Sequence, residues 1–187
     1  AVICHVSTCS LVVSLYRRLK KINRMKKILL ILSLALMMAS CGPKMTVEEI
    51  NKLESQVFGV GASPEKENVV KLVDAYVLYA KQNPDDVKSP EYLFKALDVA
   101  VGINAEGPQK AIDIADIMIE QYPEFEMTPM AMFIKGFVYE NQMNDYEKAL
   151  DTYHQFLDKY PNNPMAADVE ASIRNIGIPL DELIKTF

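Results

Sequence analysis

The chain has 187 residues, half of them hydrophobic, and its formal net charge is −5 at pH 7. Residues 1–40 contain seven Lys and Arg and no acidic residue, so 41–187 carries 13 basic and 25 acidic side chains, a net charge of −12. That length allows one domain of ordinary size, and that charge repels phosphate backbones and argues against a nucleic-acid-binding protein.

The stretch 25–41 combines a basic start with a short apolar run. Two lysines precede residues 28–38, which are too few to span a bilayer comfortably, and two small residues stand directly before Cys41. This order resembles a bacterial lipoprotein signal peptide. The resemblance implies a signal at 25–40, a diacylglyceryl and palmitate modification of Cys41, and a short lipid-anchored linker at 41–45. An uncleaved hydrophobic anchor is the alternative.

Residues 1–24 precede this signal, and we expect them to be an over-extended start; a genuine N-terminal extension is the alternative. Cys4 and Cys9 fall in this segment, so Cys41 is the single cysteine of the expected mature chain, without a disulfide or a cysteine-based metal site. Gly42 follows it, and the resemblance implies outer-membrane anchoring, because inner-membrane retention uses Asp there. We expect the protein to face the periplasm; inner-membrane anchoring and exposure at the cell surface are the alternatives.

Three segments of the remaining chain end alike, and each ends in proline: 72–84, 111–123 and 149–161. The three prolines are 39 and 38 residues apart. Apolar residues recur at i, i+4 and i+7 in each segment, which predicts one apolar face of an α-helix. A proline cannot continue a helix, so each of these helices is predicted to end at the same place.

Another helix is predicted before each of these segments. The first, 46–58, opens with a capping box at Thr46 and Glu49. The next two match when residues 90–97 are aligned with 130–137, and both open with a capping residue and a proline, Ser89-Pro90 and Thr128-Pro129. Residues 163–175 and 179–187 are predicted to be capping helices.

Helix pairs that recur at this period predict an all-α solenoid, with about three pairs over 46–187 and a C-terminal cap at 163–187. The third pair resembles the tetratricopeptide repeat (TPR). The residues that carry the resemblance are a small and an aromatic residue of the first helix and the core residues of the second: Gly136, Tyr139, Ala149, Tyr153, Phe156 and Pro161.

The resemblance implies that the first helix of each pair lines a concave groove that binds a partner. In the third pair the groove positions are Met130, Phe133, Phe137, Glu140 and Asn141, and the aligned positions of the second pair are Leu93, Leu97 and Val101. Some TPRs clamp a C-terminal carboxylate there with Lys and Asn, but phenylalanines occupy two of those positions here. The alternative is that these residues pack on 163–175 and face no ligand.

Residues with catalytic or metal-binding chemistry are few. His154 is the one histidine after Cys41, and it is predicted to lie on the surface. Asp113, Asp116 and Glu120 share a helix face, which a solvated surface explains as well as a cation site does. Because no nucleophile–base pair, phosphate-binding loop or dinucleotide fingerprint occurs, we expect no enzyme activity, no metal and no cofactor.

These observations predict a lipid-anchored scaffold that binds another protein of the cell envelope. Lipoproteins of this kind are similar to the TPR component of the outer-membrane β-barrel assembly machinery and to the TPR coordinator associated with Tol–Pal. The alternative is a structural lipoprotein that associates with itself and has no dedicated groove ligand, so a homo-oligomer stays open.

Overall fold

The computed structural model describes residues 44–61, 64–178 and 182. Within these ranges the chain forms seven α-helices and no strand: α1 Val47–Phe58, α2 Lys66–Gln82, α3 Lys88–Val101, α4 Gly107–Gln121, α5 Thr128–Asn141, α6 Tyr146–Lys159 and α7 Ala166–Asn175. The all-α class is therefore confirmed. Segments 1–24 and 25–40, Cys41 and, apart from Glu182, the predicted helix 179–187 lie outside the described residues.

The helices form one compact unit that begins at Met45, and they pack in chain order. Each helix contacts the next one, and α3, the first helix of the second pair, also contacts α5, the first helix of the third. Contact between neighbours in sequence, with the first helices of adjacent pairs side by side, is the arrangement of a solenoid. The helix predicted at 163–175 is α7, which packs on α6.

Side-chain caps start two of the helices. The predicted capping box of α1 is confirmed, since the Glu49 amide donates to Thr46 Oγ1 at 3.3 Å and the Thr46 amide donates to Glu49 Oε2 at 2.9 Å. Asp145 caps α6 by accepting a hydrogen bond from the Lys148 amide at 3.2 Å. These bonds satisfy amide groups that have no partner inside a helix.

The predicted capping roles of Ser89 and Thr128 are wrong. Each hydroxyl instead donates to a backbone carbonyl at the end of the preceding helix, Ser89 Oγ to Asn83 O and Thr128 Oγ1 to Tyr122 O, both at 2.6 Å. Both side chains are fully buried, so the hydroxyls need these acceptors. The two bonds tie each pair to the next with the same geometry.

These turns fix the offset between the second and third pairs. Ser89 and its counterpart Thr128 are 39 residues apart, and so are the two carbonyls that accept their hydrogen bonds. The alignment of 90–97 with 130–137 assumed 40 residues and is wrong by one. With the observed offset, the counterparts of Phe133 and Phe137 in α3 are Phe94 and Asp98.

Two groups of buried residues hold the helices together. The larger one runs through α1 to α5, and the smaller one joins α5, α6 and α7 around Tyr153, Phe156 and Val169. Close approach of α5 and α6 depends on Gly136, because a Cβ at this position would overlap the ring of Tyr153, which is 1% exposed. The small residue that the repeat pattern predicted here makes room for a tyrosine.

Among the described residues, none of the helices combines the length and the apolar character that crossing a bilayer requires.

Candidate functional site

The first helices expose equivalent positions that differ in chemistry. At the register set by the turns, α3 presents a polar set and α5 an apolar one at matching positions: Glu91, Lys95 and Asp98 against Met130, Ile134 and Phe137. We call this common surface the first-helix face and its apolar part, Met130, Ile134 and Phe137, the α5 strip. Phe137 is the most open of the three, with 40% of its surface exposed.

The five groove residues predicted on α5 all lie in this helix, but they differ in exposure. Phe137 and Asn141 are exposed and adjacent, since Asn141 Nδ2 donates to the Phe137 carbonyl at 3.2 Å. Met130 is half-buried. Phe133 is half-buried as well, with its ring stacked on Tyr153 at a centroid distance of 5.9 Å. Phe133 therefore serves packing more than recognition.

Glu140, the fifth of these residues, accepts a hydrogen bond from the Tyr153 hydroxyl at 2.8 Å. Burial, together with this bond to a carboxylate, raises the pKa of Tyr153 well above its usual range. The tyrosine therefore stays protonated and links the two helices of the third pair.

The groove prediction is wrong for two of the three residues in α3. Leu93 and Leu97 are both 0% exposed and belong to the core, so they offer no surface to a partner. The physical reason is the one-residue error in register, which rotates a helix position by about 100°. Val101 is half-buried, and its carbonyl accepts a hydrogen bond from Gln142 Nε2 at 3.1 Å.

A pocket of about 230 Å³ lies between α1, α2 and α3, and the sequence analysis missed it. We call it the N-terminal pocket; its lining residues are Glu54, Phe58, Tyr76, Lys95, Asp98 and Val99. Phe58, a large apolar residue, is 61% exposed. The sequence predicted one binding surface, on α3 and α5, and therefore did not indicate a site at the end of α1.

Glu54 is the centre of the polar contacts in this pocket. Its Oε1 accepts hydrogen bonds from the Tyr76 hydroxyl at 2.7 Å and from Lys95 Nζ at 2.8 Å. Lys95 also lies over the rings of Tyr76 and Tyr92, 5.9 and 5.6 Å from their centroids. Burial raises the pKa of Glu54, but the bonds from Lys95 and Tyr76 outweigh it and hold the pKa below its usual value.

A second pocket, of about 300 Å³, lies at the other end of the described chain. We call it the C-terminal pocket; it is lined by Glu140, Asn141, Asn144, Tyr146, Gly177 and Ile178. The backbone turns sharply on both sides, with φ of 54° at Asn144 and 72° at Gly177, values at which asparagine and glycine are the favoured residues. Tyr146 and Ile178 are exposed by 43% and 41%.

Two of the three acidic residues of α4 have partners on neighbouring residues of the protein. Asp116 accepts a hydrogen bond from Lys135 Nζ at 2.6 Å, and Asp113 accepts one from Gln109 Nε2 at 2.8 Å. His154 is exposed, as predicted. Across the ranges 44–61 and 64–178, the structure brings together no group of three or more His, Cys, Asp or Glu side chains that would hold a metal ion.

Comparison with known protein families identifies the helix pair that carries the α5 strip. Residues 130–163, which include nearly all of α5, the whole of α6 and the following turn, match the family model of the tetratricopeptide repeat. This helix pair is therefore similar to a tetratricopeptide repeat. The predicted TPR-like helical solenoid is thereby confirmed. No curated protein and no solved structure gives a significant match to the chain.

Tetratricopeptide repeats typically bind other proteins and do not catalyse reactions, so this match makes the chain a candidate protein-interaction scaffold. Helix α5 is the first helix of the matched segment, and Phe137 is its exposed apolar residue on the first-helix face. Met130 and Ile134 are half-buried, and Ile134 also packs against the larger buried group.

Proposed function

We propose that the protein is an envelope scaffold that binds a protein partner through its first-helix face, with the α5 strip as the central contact. The supporting observation is the exposure of Phe137 beside Met130 and Ile134 on the first helix of the matched repeat. Contiguous apolar surface of this kind is favourable only when it is covered, and aromatic residues and methionine are enriched in the buried centres of interfaces.

The proposed position of the scaffold is the periplasmic side of the outer membrane, where a lipid on Cys41 anchors it. The signal-like stretch 25–40 supports this proposal, and so does Gly42 after the cysteine. Helix α1 begins at Val47, so only a few residues separate Cys41 from the first helix. A tether this short keeps the binding face near the membrane, which suits a role in outer-membrane assembly or envelope maintenance.

Site-specific crosslinking tests the binding face. A photoreactive phenylalanine analogue at position 137 is expected to crosslink to a distinct envelope protein in living cells, whereas the same analogue at Leu78 is not. Leu78 is a matched control because it is 38% exposed and lies on α2, the second helix of its pair. Identical crosslinked products from both positions would contradict the proposed face.

A competition experiment completes the test. Phe137→Glu protein that lacks the photoreactive analogue is expected not to reduce the crosslinking of the partner to position 137. Leu78→Glu protein is expected to reduce this crosslinking as much as wild-type protein does. Phe133 is unsuitable for this purpose, because its ring stacks on Tyr153 and a charge there would disturb the fold.

The anchor is tested separately by labelling cells with an alkyne analogue of palmitate. The wild-type chain is expected to take up the label, and Cys41→Ser is expected to lose it. If the wild-type protein is expressed and found in the membrane fraction but carries no label, it is not lipidated. That result would not affect the proposed binding face, which the crosslinking experiment tests separately.

Self-association is the second candidate, and the C-terminal pocket favours it. Tyr146 and Ile178 lining that pocket, and Met143 beside it in sequence, are 40–43% exposed and form a second apolar surface far along the chain from α1. Light scattering of the full chain in detergent, with and without Tyr146→Glu, separates the two proposals. A stable oligomer that the substitution breaks favours self-association.

A further inference from the structure

The N-terminal pocket contains a carboxylate, that of Asp98, which has no charge partner among the residues that the structure describes. None of the ion pairs among the described residues involves Asp98, although it lines the pocket. The nearby cation, Lys95, is bound elsewhere: its ammonium donates to Glu54 at 2.8 Å and lies over two tyrosine rings. The three charged groups of the pocket therefore sum to one net negative charge.

An exposed aromatic ring lines the same pocket. Phe58 is 61% exposed and is the last residue of α1. An aromatic face and a carboxylate that line one pocket form a favourable site for a cation, since the ring attracts it and the carboxylate accepts its hydrogen bonds. A lysine or arginine side chain also brings an apolar stem that covers the ring.

The charge of the whole segment favours the same kind of partner. Residues 41–187 carry a net charge of −12, and such an acidic surface attracts basic segments and repels acidic ones. A partner with a basic side chain gains both the long-range attraction and the local contact in the pocket.

The alignment of α3 with α5 shows how far this pocket lies from the α5 strip. Asp98 and Phe137 are counterparts, 39 residues apart, on the adjacent helices α3 and α5, which are in contact. Packed helices have axes about 8–10 Å apart. An extended chain advances about 3.3 Å per residue, so about three residues cross from one helix to the next.

We propose that the partner segment is extended and basic, with a Lys or Arg side chain between Phe58 and Asp98 and an apolar side chain about three residues away on the α5 strip. This inference rests on the proposed function, because it names the chemistry of the ligand of the first-helix face. A helical ligand needs about seven residues for the same step, so the spacing distinguishes the two conformations.

Selection from a random 12-residue peptide library displayed on phage tests this proposal on the full chain in detergent. Enriched peptides are expected to carry Lys or Arg about three residues from an aliphatic or aromatic residue. The best of them is then synthesised and titrated by fluorescence anisotropy. Asp98→Lys is expected to weaken its binding about tenfold or more, the usual effect of losing a charge-assisted contact.

Asp158→Lys is the matched control, because Asp158 is an exposed aspartate near the end of α6, outside the first-helix face. Unchanged affinity is expected for it, and Phe137→Glu is expected to abolish binding. Circular dichroism of each variant shows whether the helices are intact, and Asp98→Asn, which removes the charge alone, is expected to reproduce most of the loss.

The outcomes separate this inference from the proposed function. Enriched peptides that are apolar but neutral or acidic, with binding that Phe137→Glu abolishes and Asp98→Lys leaves unchanged, would overturn the basic partner and keep the binding face. A spacing of about seven residues between the basic and the apolar residue of the enriched peptides would overturn the extended conformation of the partner. No enrichment over beads that carry the Phe137→Glu variant would overturn both proposals.

Discussion

Helices α3 and α5 occupy equivalent places in consecutive pairs, yet they distribute large and small side chains in opposite ways. Where α3 has Leu97 in the core, α5 has Gly136, and the facing second helices compensate, with Ala115 at the position in α4 that corresponds to Tyr153 in α6. On the exposed side the difference is reversed. There α3 presents Asp98 and α5 presents Phe137, at the same register position.

This comparison separates packing from recognition. The core accepts either a large residue on the first helix or a large residue on the second, as long as the total volume fills the space between them. The exposed position is under no such constraint, so its side chain is free to specify a ligand. Two helices with one backbone arrangement thus offer a partner a carboxylate on one and a phenyl ring on the other.

The largest expected change in stability concerns a leucine of the core. Leu97→Ala is expected to lower the free energy of unfolding by about 3 kcal/mol, because a fully buried leucine leaves a cavity. Phe137→Ala removes a larger side chain from an exposed site, and we expect a loss below about 1 kcal/mol. Urea unfolding followed by circular dichroism measures both, and equal losses would show that our register is wrong.

The exchange of large and small residues is tested at Gly136. Gly136→Ala is expected to lower the free energy of unfolding by about 2 kcal/mol, because overlap with the Tyr153 ring outweighs the better helix propensity of alanine. In a Tyr153→Leu background the same substitution is expected to be neutral or stabilising. An unchanged cost in that background, measured by the same unfolding experiment, would show that the ring is not what Gly136 accommodates.

The two hydroxyl hydrogen bonds that fix the register between the pairs are expected to contribute equally to the free energy of unfolding. Ser89→Ala and Thr128→Val each remove one buried hydrogen bond to a carbonyl while leaving most of the packing in place. We expect each to lower the free energy of unfolding by about 1 kcal/mol, the usual net value of such a bond. A large effect at only one position would mean that the two turns are not equivalent.

The smallest effect depends on pH and concerns Glu54. Its pKa in the folded protein lies below the ordinary value of 4.5, so its charge stabilises the fold above pH 4.5, and this contribution is lost as the pH falls through the folded pKa. Glu54→Gln keeps an acceptor for Tyr76 but removes the charge opposite Lys95. We expect it to lower stability by about 0.5 kcal/mol at pH 7, a typical value for a partly exposed ion pair.

As the pH falls below 4.5, the unfolding curves of wild type and Glu54→Gln are expected to converge. Lys95→Met is the complementary variant, and it should narrow the difference between the two at pH 7. If the difference between wild type and Glu54→Gln is the same at pH 7 and pH 3, the ion pair with Lys95 contributes nothing to stability.

Much of the fold was predictable from local patterns. The capping box at Thr46 and Glu49 predicted the start of α1, and the apolar spacing before Pro84, Pro123 and Pro161 predicted where α2, α4 and α6 end. These signals act within one helix and one turn, where the chain needs only its neighbouring residues to decide its conformation. The match at 130–163 falls on the pair whose sequence pattern was clearest.

The candidate site was less predictable, and α3 shows why. Apolar residues occur on several faces of this helix, so offsets of 39 and 40 residues both place hydrophobic types opposite each other. The spacing of Ser89-Pro90 and Thr128-Pro129, which equals that of Pro84 and Pro123, was the signal that favours 39. The structure shows why this spacing sets the register: each hydroxyl donates a hydrogen bond to a carbonyl at the end of the preceding helix.

The sequence by itself determined the helices, their pairing and the repeat, because helix periodicity, caps and prolines act over short stretches of chain. Only the tertiary structure decided which side of each first helix is buried, since that depends on how the side chains of different helices share the volume between them. It placed Leu93 and Leu97 in the core and Asp98 at the surface. It also brought Phe58 of α1 into the same pocket as Asp98, which the sequence separates by 40 residues.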